Sequence, residues 1–464
     1  MSKFTVVAKT FELDENGNCI TDTKDTTFSG KMAGICYQKD KYFGTSVTDP
    51  ELAEKRFHRV ASTNHHTIAE HTYITVLCED ISKILAMVLN SLNFYNTSEK
   101  SGRYTVMTGN SEKEQELYEK WKTIFRNKVL EYEPCYDDSA LRGMFNKEFE
   151  NREGKDKQPP YIKHGEFEKA NNLPDWCNEV LDDMRNNETL PSMKLGQENA
   201  RYLLSIFTRS TTLAYTTALA QWNYIYDWCH KFIEFNADNH SYFADEMKKD
   251  LIQLSDFIRD NIYVQELRDS KGRNFEFLGR LTSDDYMDFD SFQNNISMAY
   301  QMKYKTSFVS LAQHHRHRTI KYLMDFNPDA KQEYFVPEIL NNDKGLKEEW
   351  LSDMKKVSGT IPQGTLVGVM EFGTVSDLIL KCKERLCGRA QFETMLGTLT
   401  TVENLTYAAE HGKIDPLTKK WIEKLIIKDE KHNSYEIKTK CKLIDGICKE
   451  PCYWGSSRAL DRPF

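Results

Sequence analysis

Gln313-His314-His315-Arg316-His317-Arg318 lies in an apolar, helix-permissive run over residues 307–326 and sets imidazole or guanidinium side chains at five consecutive positions. Two arginines offer planar donor forks suited to phosphate or carboxylate. The histidine between them can donate, accept or carry a proton near neutrality. The run therefore reads as an anion-binding site that suits a redox cofactor. The plainer alternative is a solvated basic face at a helix end, and only the rest of the chain separates the two.

Upstream, His65-His66-Thr67-Ile68-Ala69-Glu70-His71 precedes an apolar, strand-like stretch at 73–78 and a helix-like segment that runs on to Glu99-Lys100-Ser101-Gly102-Arg103-Tyr104. A third element recurs late in each half, as Ala220-Gln221-Trp222 and as Arg389-Ala390-Gln391-Phe392-Glu393. This ordered set resembles the flavin-dependent thymidylate synthase family, split over two tandem copies. The family pattern runs His-x-x-x-x-Glu-His, a helix ending in Arg-His-Arg, a Ser-x-Arg-Tyr phosphate turn, and an Arg five residues before Ala-Gln-aromatic. In the first half His65, Thr67, Glu70 and His71 fit the first element and Ser101-Gly102-Arg103-Tyr104 the third, while Ser91-Leu92-Asn93 and Tyr215 stand in the places of Arg-His-Arg and the later Arg. In the second half Gln313, Arg316, His317, Arg318 and Arg385 fit, while Asp290, Phe292, Asn295 and Phe326 replace the His, Thr, Glu and Ser positions. Each half keeps what the other lacks, as expected if one copy can lose a residue that the other supplies. The ordered set with its spacing carries the inference, since a lone Arg-His-Arg is a weak signal.

The resemblance implies active sites composed from both copies, with a homodimer of this chain imitating a family tetramer. It places the nucleotide dUMP on Glu99, Lys100, Ser101, Gly102, Arg103, Gln313, Arg316 and Arg385. Of these, Arg385, Arg316 and Ser101 are the expected catalytic positions, Ser101 as a phosphate ligand rather than a nucleophile, because no His or Asp partner stands at a recognisable spacing. Arg385 is expected at the uracil ring, where a guanidinium stabilises negative charge as C5 attacks an electrophile. FAD falls to Cys36, His65, Thr67, Glu70, His317, Arg318 and, on a looser alignment, Arg209. The implied reaction takes electrons from NADPH and a one-carbon unit from methylenetetrahydrofolate and gives dTMP. Alternatives are a hydroxymethylase acting on dUMP or dCMP and a catalytically silent flavin- or nucleotide-binding subunit.

Taken alone, Ser101-Gly102-Arg103 joins a hydroxyl, a glycine that admits close backbone approach and a guanidinium, a compact phosphate cradle or an ordinary capped turn. His65, His66, Glu70 and His71 could instead ligate a metal, but no general base or open coordination site accompanies them, so none is expected. Cys441, Cys448 and Cys452 supply no fourth ligand at zinc-site spacing.

The 464 residues suit two domains, placed at 1–239 and 240–464, each an α+β thymidylate synthase-like copy with a mixed sheet and packed helices. Residues 105–195, charged and centred on Gly154-Lys155-Asp156-Lys157-Gln158-Pro159-Pro160, read as an insertion of extra helices. Strands are expected near 3–13 and 73–78, helices over 81–92 and 113–130, a buried helical segment over 201–232, a linker near 341–347 and a strand-turn-helix unit over 359–386. With no run of about 18 uncharged apolar residues no membrane span is expected, and with no signal peptide and eleven scattered cysteines the expected compartment is the cytoplasm. A net charge of −8 argues against nucleic acid as partner.

Overall fold

Buried and half-buried positions alternate from Ser210 to Thr217, with Thr211, Leu213, Tyr215 and Thr217 buried and Thr212, Ala214 and Thr216 half-buried between them. A period of two with β-branched residues makes a strand, and this strand is central to its sheet. The helical reading of 201–232 is thereby corrected: a short 3-10 turn and the strand come first, and the helix starts only at Leu219.

A computed structural model describes residues 2–20, 24–37, 44–62, 66–91, 95–102, 105, 107–131, 139–154, 156, 175–188, 191–267, 299–317, 319–429, 434–443 and 459–462. The elements that matter here are, in chain order, β1 (Lys3–Lys9), α1 (Asp25–Tyr37), α2 (Pro50–Ala61), β2 (Tyr73–Ser82), α3 (Lys83–Ser91), β3 (Tyr95–Glu99), α4 (Glu112–Glu131), α5 (Pro191–Ala200), β4 (Arg209–Ala218), α6 (Leu219–Phe235) and α7 (Tyr242–Asn261). They continue with β5 (Ala299–Ser307), α8 (Phe308–His314), β6 (Lys321–Asp325), α9 (Lys344–Lys356), β7 (Leu366–Thr374), α10 (Val375–Arg385) and α11 (Phe392–Glu410). Small sheets with packed helices make the class α+β.

Two compact units emerge, Met1–Lys100 with Phe207–Arg280 and Ser101–Ile206 with Leu281–Phe464. Asn239 lies inside the first unit, between α6 and α7, and the helices of the 105–195 segment belong to the second.

In the first unit an antiparallel sheet runs β1-β2-β4-β3. The Trp222 indole on α6 donates to the Ile74 carbonyl at 3.1 Å, and Tyr95 stacks on Tyr215 with centroids 5.2 Å apart. α1 and α2 pack so closely that a Cβ on Gly30 would sit 2.0 Å from the Ala53 carbonyl oxygen, so a glycine is required there.

In the second unit the antiparallel sheet runs β5-β7-β6. Trp121 and Phe125 of α4 meet Trp350 of α9 edge to face, at 4.9 and 5.3 Å, and the Trp121 indole donates to the buried Asp353 at 3.0 Å. Ser307 caps α8 through Ser310 N–H, and Thr374 with Asp377 forms a capping box that starts α10.

The two units repeat one plan. Each has a strand, a helix, an edge strand, a long excursion, a central strand that pairs antiparallel with both, and a second helix. The pairs Ile74 with Thr217, Cys78 with Leu213 and Ser82 with Arg209 recur as Ala299 with Thr374, Lys303 with Met370 and Ser307 with Leu366, at the same four-residue steps. The Ala-Gln-aromatic element does not follow this plan. Ala220-Gln221-Trp222 opens the helix directly after the central strand, whereas Ala390-Gln391-Phe392 opens α11, one helix later.

Candidate functional site

The Gln313 to His317 run wraps the end of a short helix. α8 stops at His314, the His317 N–H returns to the His314 carbonyl at 2.9 Å, and the Ile320 N–H to that of His317 at 3.0 Å, before β6 begins. Side chains on so tight a turn diverge. His314, His315 and His317 point inward, at 0%, 8% and 5% exposure, while Arg316 is exposed. The run is therefore not one basic face, and Arg318 lies outside the described residues.

Arg385, in the last turn of α10, meets this turn. Its Nε donates to His317 Nε2 at 2.8 Å and a terminal nitrogen donates to the Gln313 carbonyl at 3.3 Å. Burial, then the positive charges of Arg385 and Lys381, push the His317 imidazole down to about 2. The ring is neutral, and because Nε2 accepts, its proton sits on Nδ1. His314 is likewise held well below the usual histidine range, by burial first and by Lys381 next. Neither of its nitrogens has a hydrogen-bond partner among the described residues, and its ring lies between Tyr304 and Tyr322.

One turn before Arg385, Lys381 is fully buried and bonds both Glu371 carboxylate oxygens, at 2.9 and 2.7 Å. Glu371 also accepts from the Tyr300 and Tyr304 hydroxyls at 2.6 Å each. Burial pulls the ammonium down and Glu371 opposes that pull, so the pair stands as an ion pair. Charge buried at this depth persists only where its partners satisfy it, as they do here.

Ser101 and Gly102 lie in the same unit. A Cβ on Gly102 would meet the Met107 sulfur at 2.9 Å and an Arg201 terminal nitrogen at 3.4 Å, so a buried guanidinium stands beside the turn. Arg201 donates to the Gln391 side-chain carbonyl at 2.8 Å, Gln391 donates to the Tyr202 hydroxyl at 2.7 Å, and Tyr202 donates to Glu393 at 2.9 Å. Glu393 further accepts from Thr306 at 2.9 Å and the Ser307 N–H at 2.7 Å. The Arg389 to Glu393 element thus ties the Arg201 turn to the start of α8. Sequence reasoning missed Arg201; its signal was a lone arginine heading an apolar run, from which the spacing drew attention to Arg209 instead.

In the first unit Thr67 and Glu70 sit half-buried on a 3-10 turn, His66–Glu70. Glu99 forms an ion pair with Lys83 and accepts from Asn90 at 3.2 Å, and Lys100 is exposed with its N–H on the Thr212 carbonyl. Arg209 bonds Asp250 and the Ser2 hydroxyl, both at 2.6 Å. Cys36 lies on α1, with its side chain outside the described residues; His65, Arg103, Tyr104, Asp290, Phe292, Asn295, Cys448, Cys452 and the His66 side chain lie outside them too. A cavity of about 890 Å³ between the hairpin near Glu12 and helices α1 and α2 holds none of the expected site residues.

The structure therefore brings together Gln313, His317 and Arg385, and separately Ser101 and Gly102 with Arg201 and Gln391. Against this geometry, a family model described as thymidylate synthase complementing protein matches residues 20–242. Over this stretch the chain is similar to the thymidylate synthase complementing protein family. No match to a curated protein accompanies it. The match spans Thr67, Glu70, the 99–104 turn, Arg201 and Arg209, whereas the Gln313, His317 and Arg385 group follows it in the chain. The match supports an enzyme of the thymidylate synthase kind, in nucleotide biosynthesis. No helix of the described residues is long and apolar enough to cross a membrane.

Proposed function

We propose that the protein is a flavin-dependent thymidylate synthase that methylates C5 of dUMP, using methylenetetrahydrofolate and NADPH. The observation that carries this reading is Arg385, whose guanidinium is aimed by a neutral imidazole and a backbone carbonyl. A guanidinium beside the uracil O2 and N3 stabilises the negative charge that gathers there as C5 attacks, and in a water-poor site such fixed charge is worth several kcal/mol. Ser101, Gly102 and the buried Arg201 have the donor chemistry of a phosphate cradle.

Each unit also offers groups whose chemistry suits a flavin, a hydroxyl (Thr67) and a carboxylate (Glu70) in the first and an uncharged imidazole (His317) in the second. Once bound, FAD would supply the hydride chemistry that no side chain can. The chain's own residues orient the nucleotide, hold charge and keep Arg385 in place. Arg209, whose guanidinium is engaged by Asp250, and Cys36 are lesser members of this reading. The repeated sheet plan supports two tandem copies, and a dimer of the chain would then present four such halves.

The test is direct. Purified protein should be yellow, and with NADPH, methylenetetrahydrofolate and dUMP it should yield dTMP by mass spectrometry. A hydroxymethylated product, or turnover of dCMP alone, changes the reaction assigned. A colourless protein that consumes no NADPH overturns it.

A further inference from the structure

We infer that His317 is a positioning residue: by accepting the Arg385 Nε–H on its Nε2, it fixes the plane and rotation of the guanidinium. The inference deepens the proposed function and rests on it for the role of Arg385, but the contact is argued from geometry alone.

An arginine at the end of a helix turns freely about its outer bonds, and a guanidinium that must lie flat against one edge of a ring cannot be left to do so. Two anchors remove that freedom here. Gln313 supplies a carbonyl at 3.3 Å to a terminal nitrogen, and His317 supplies a ring nitrogen at 2.8 Å to Nε. Two hydrogen bonds to different nitrogens define a plane, and bonds from an ionised donor are the stronger kind. The imidazole must be neutral to serve, because an imidazolium would turn an N–H toward the Arg385 N–H and set two positive charges together. The surroundings enforce neutrality. Burial, Arg385 and Lys381 disfavour the cation, and His314, on the preceding turn, is itself held neutral. Among the described residues the opposing group is Glu384, whose carboxylate stands 3.8 Å from Nε2 and is half exposed. The histidine of the Arg-His-Arg run would then act through Arg385 rather than as an acid or base.

Two measurements test this. In protein labelled with ¹⁵N-histidine, His317 should keep Nε2 unprotonated and Nδ1 protonated from pH 8 to pH 5, and Arg385→Met should move the Nε2 resonance; an imidazolium near pH 6, or a proton on Nε2, overturns the inference. In turnover, His317→Ala should lower kcat about 10²-fold, the scale of a misplaced catalytic group. His317→Gln, whose amide oxygen can take the place of Nε2, should recover at least about tenfold of that loss. Glutamine doing no better than alanine overturns the inference, and should alanine not fold, glutamine and the resonance data decide. If the unaltered protein makes no dTMP, the proposed function fails while the spectroscopic arm still tests the contact.

Discussion

The first and second halves hang different chemistry on one frame. In each, a strand feeds a helix, an edge strand follows, and a central strand closes the sheet in matching register. In the first half the helix after the opening strand, α3, buries Ile84, Leu85, Ala86, Met87 and Leu89, and its polar work is to hold Glu99 through Lys83 and Asn90. In the second, α8 ends after one apolar face and its turn delivers His314 and His317 into a charged interior. The central strands differ likewise: opposite Leu77 stands Ala214, whereas opposite Met302 stands Glu371, bonded by Lys381 and two tyrosines. The difference teaches that register and packing set the frame, while a few positions on the central strand and the turn after the first helix decide where each half buries charge: the first half buries it elsewhere, in Asp250 beside Arg209 and in the Lys31–Glu12 pair.

Glu371→Ala should have the largest effect. It strands a fully buried ammonium and two tyrosine hydroxyls, and removing one partner of such a pair costs about 3–5 kcal/mol. Ala214→Ser, at the matching place in the first half, should cost about 1 kcal/mol or less, because a partly exposed site can solvate a hydroxyl. Urea denaturation of each variant measures both. Equal losses would break the comparison.

Acid should come next. His314 and His317 are depressed in the folded protein and sit near 6.5 in the unfolded chain, so below pH 6.5 the unfolded chain takes up protons that the native state refuses. Their contribution is present above about pH 6.5 and is lost as pH falls, for His317 by about 1.4 kcal/mol per pH unit, or about 2 kcal/mol at pH 5. For His317 the loss continues toward pH 2. His314→Phe, which sets a ring against Tyr304 and Tyr322 without unpaired nitrogens, should flatten the slope of stability against pH between 5 and 6.5. An unchanged slope would mean that His314 titrates normally.

Much of the frame was legible in sequence because it is local. The strand and helix over 73–91, the helix over 112–131 and the strand-turn-helix over 366–385 follow from periodicity and caps. The 209–218 strand was misread because its threonines sit between apolar runs that look helical in a longer window. The linker expected near 341–347 instead opens a helix at Lys344, capped by Asp343. Of the site, the residue types were legible and the partners were not. His317 and Arg385 are 68 positions apart, and Tyr300 and Glu371 are 71 apart, so only tertiary pairing reveals them. The Ala-Gln-aromatic recurrence misled in the opposite sense: the same tripeptide type opens the first helix after the central strand in one half and the second in the other, and topology, not spelling, separates them.

The smallest effect sharpens the comparison most. Glu99 ends the edge strand β3 with its side chain 2% exposed, and its partner Lys83, at 17%, lies nearer the surface. Glu99→Gln keeps the shape and an acceptor for Asn90 but removes the charge. Lys83 can then turn toward water, so the loss should be about 1 kcal/mol, close to that of a half-exposed ion pair rather than a buried one. The same substitution at Glu371 offers Lys381 no such exit, because that ammonium is fully enclosed. Measured side by side by thermal unfolding at neutral pH, Glu99→Gln should lower the midpoint far less than Glu371→Gln. Near-equal shifts would mean that Lys83 is as firmly enclosed as Lys381 and remove the asymmetry between these two pairs, whereas the expected gap marks Glu371 and Lys381 as the more deeply enclosed of the two.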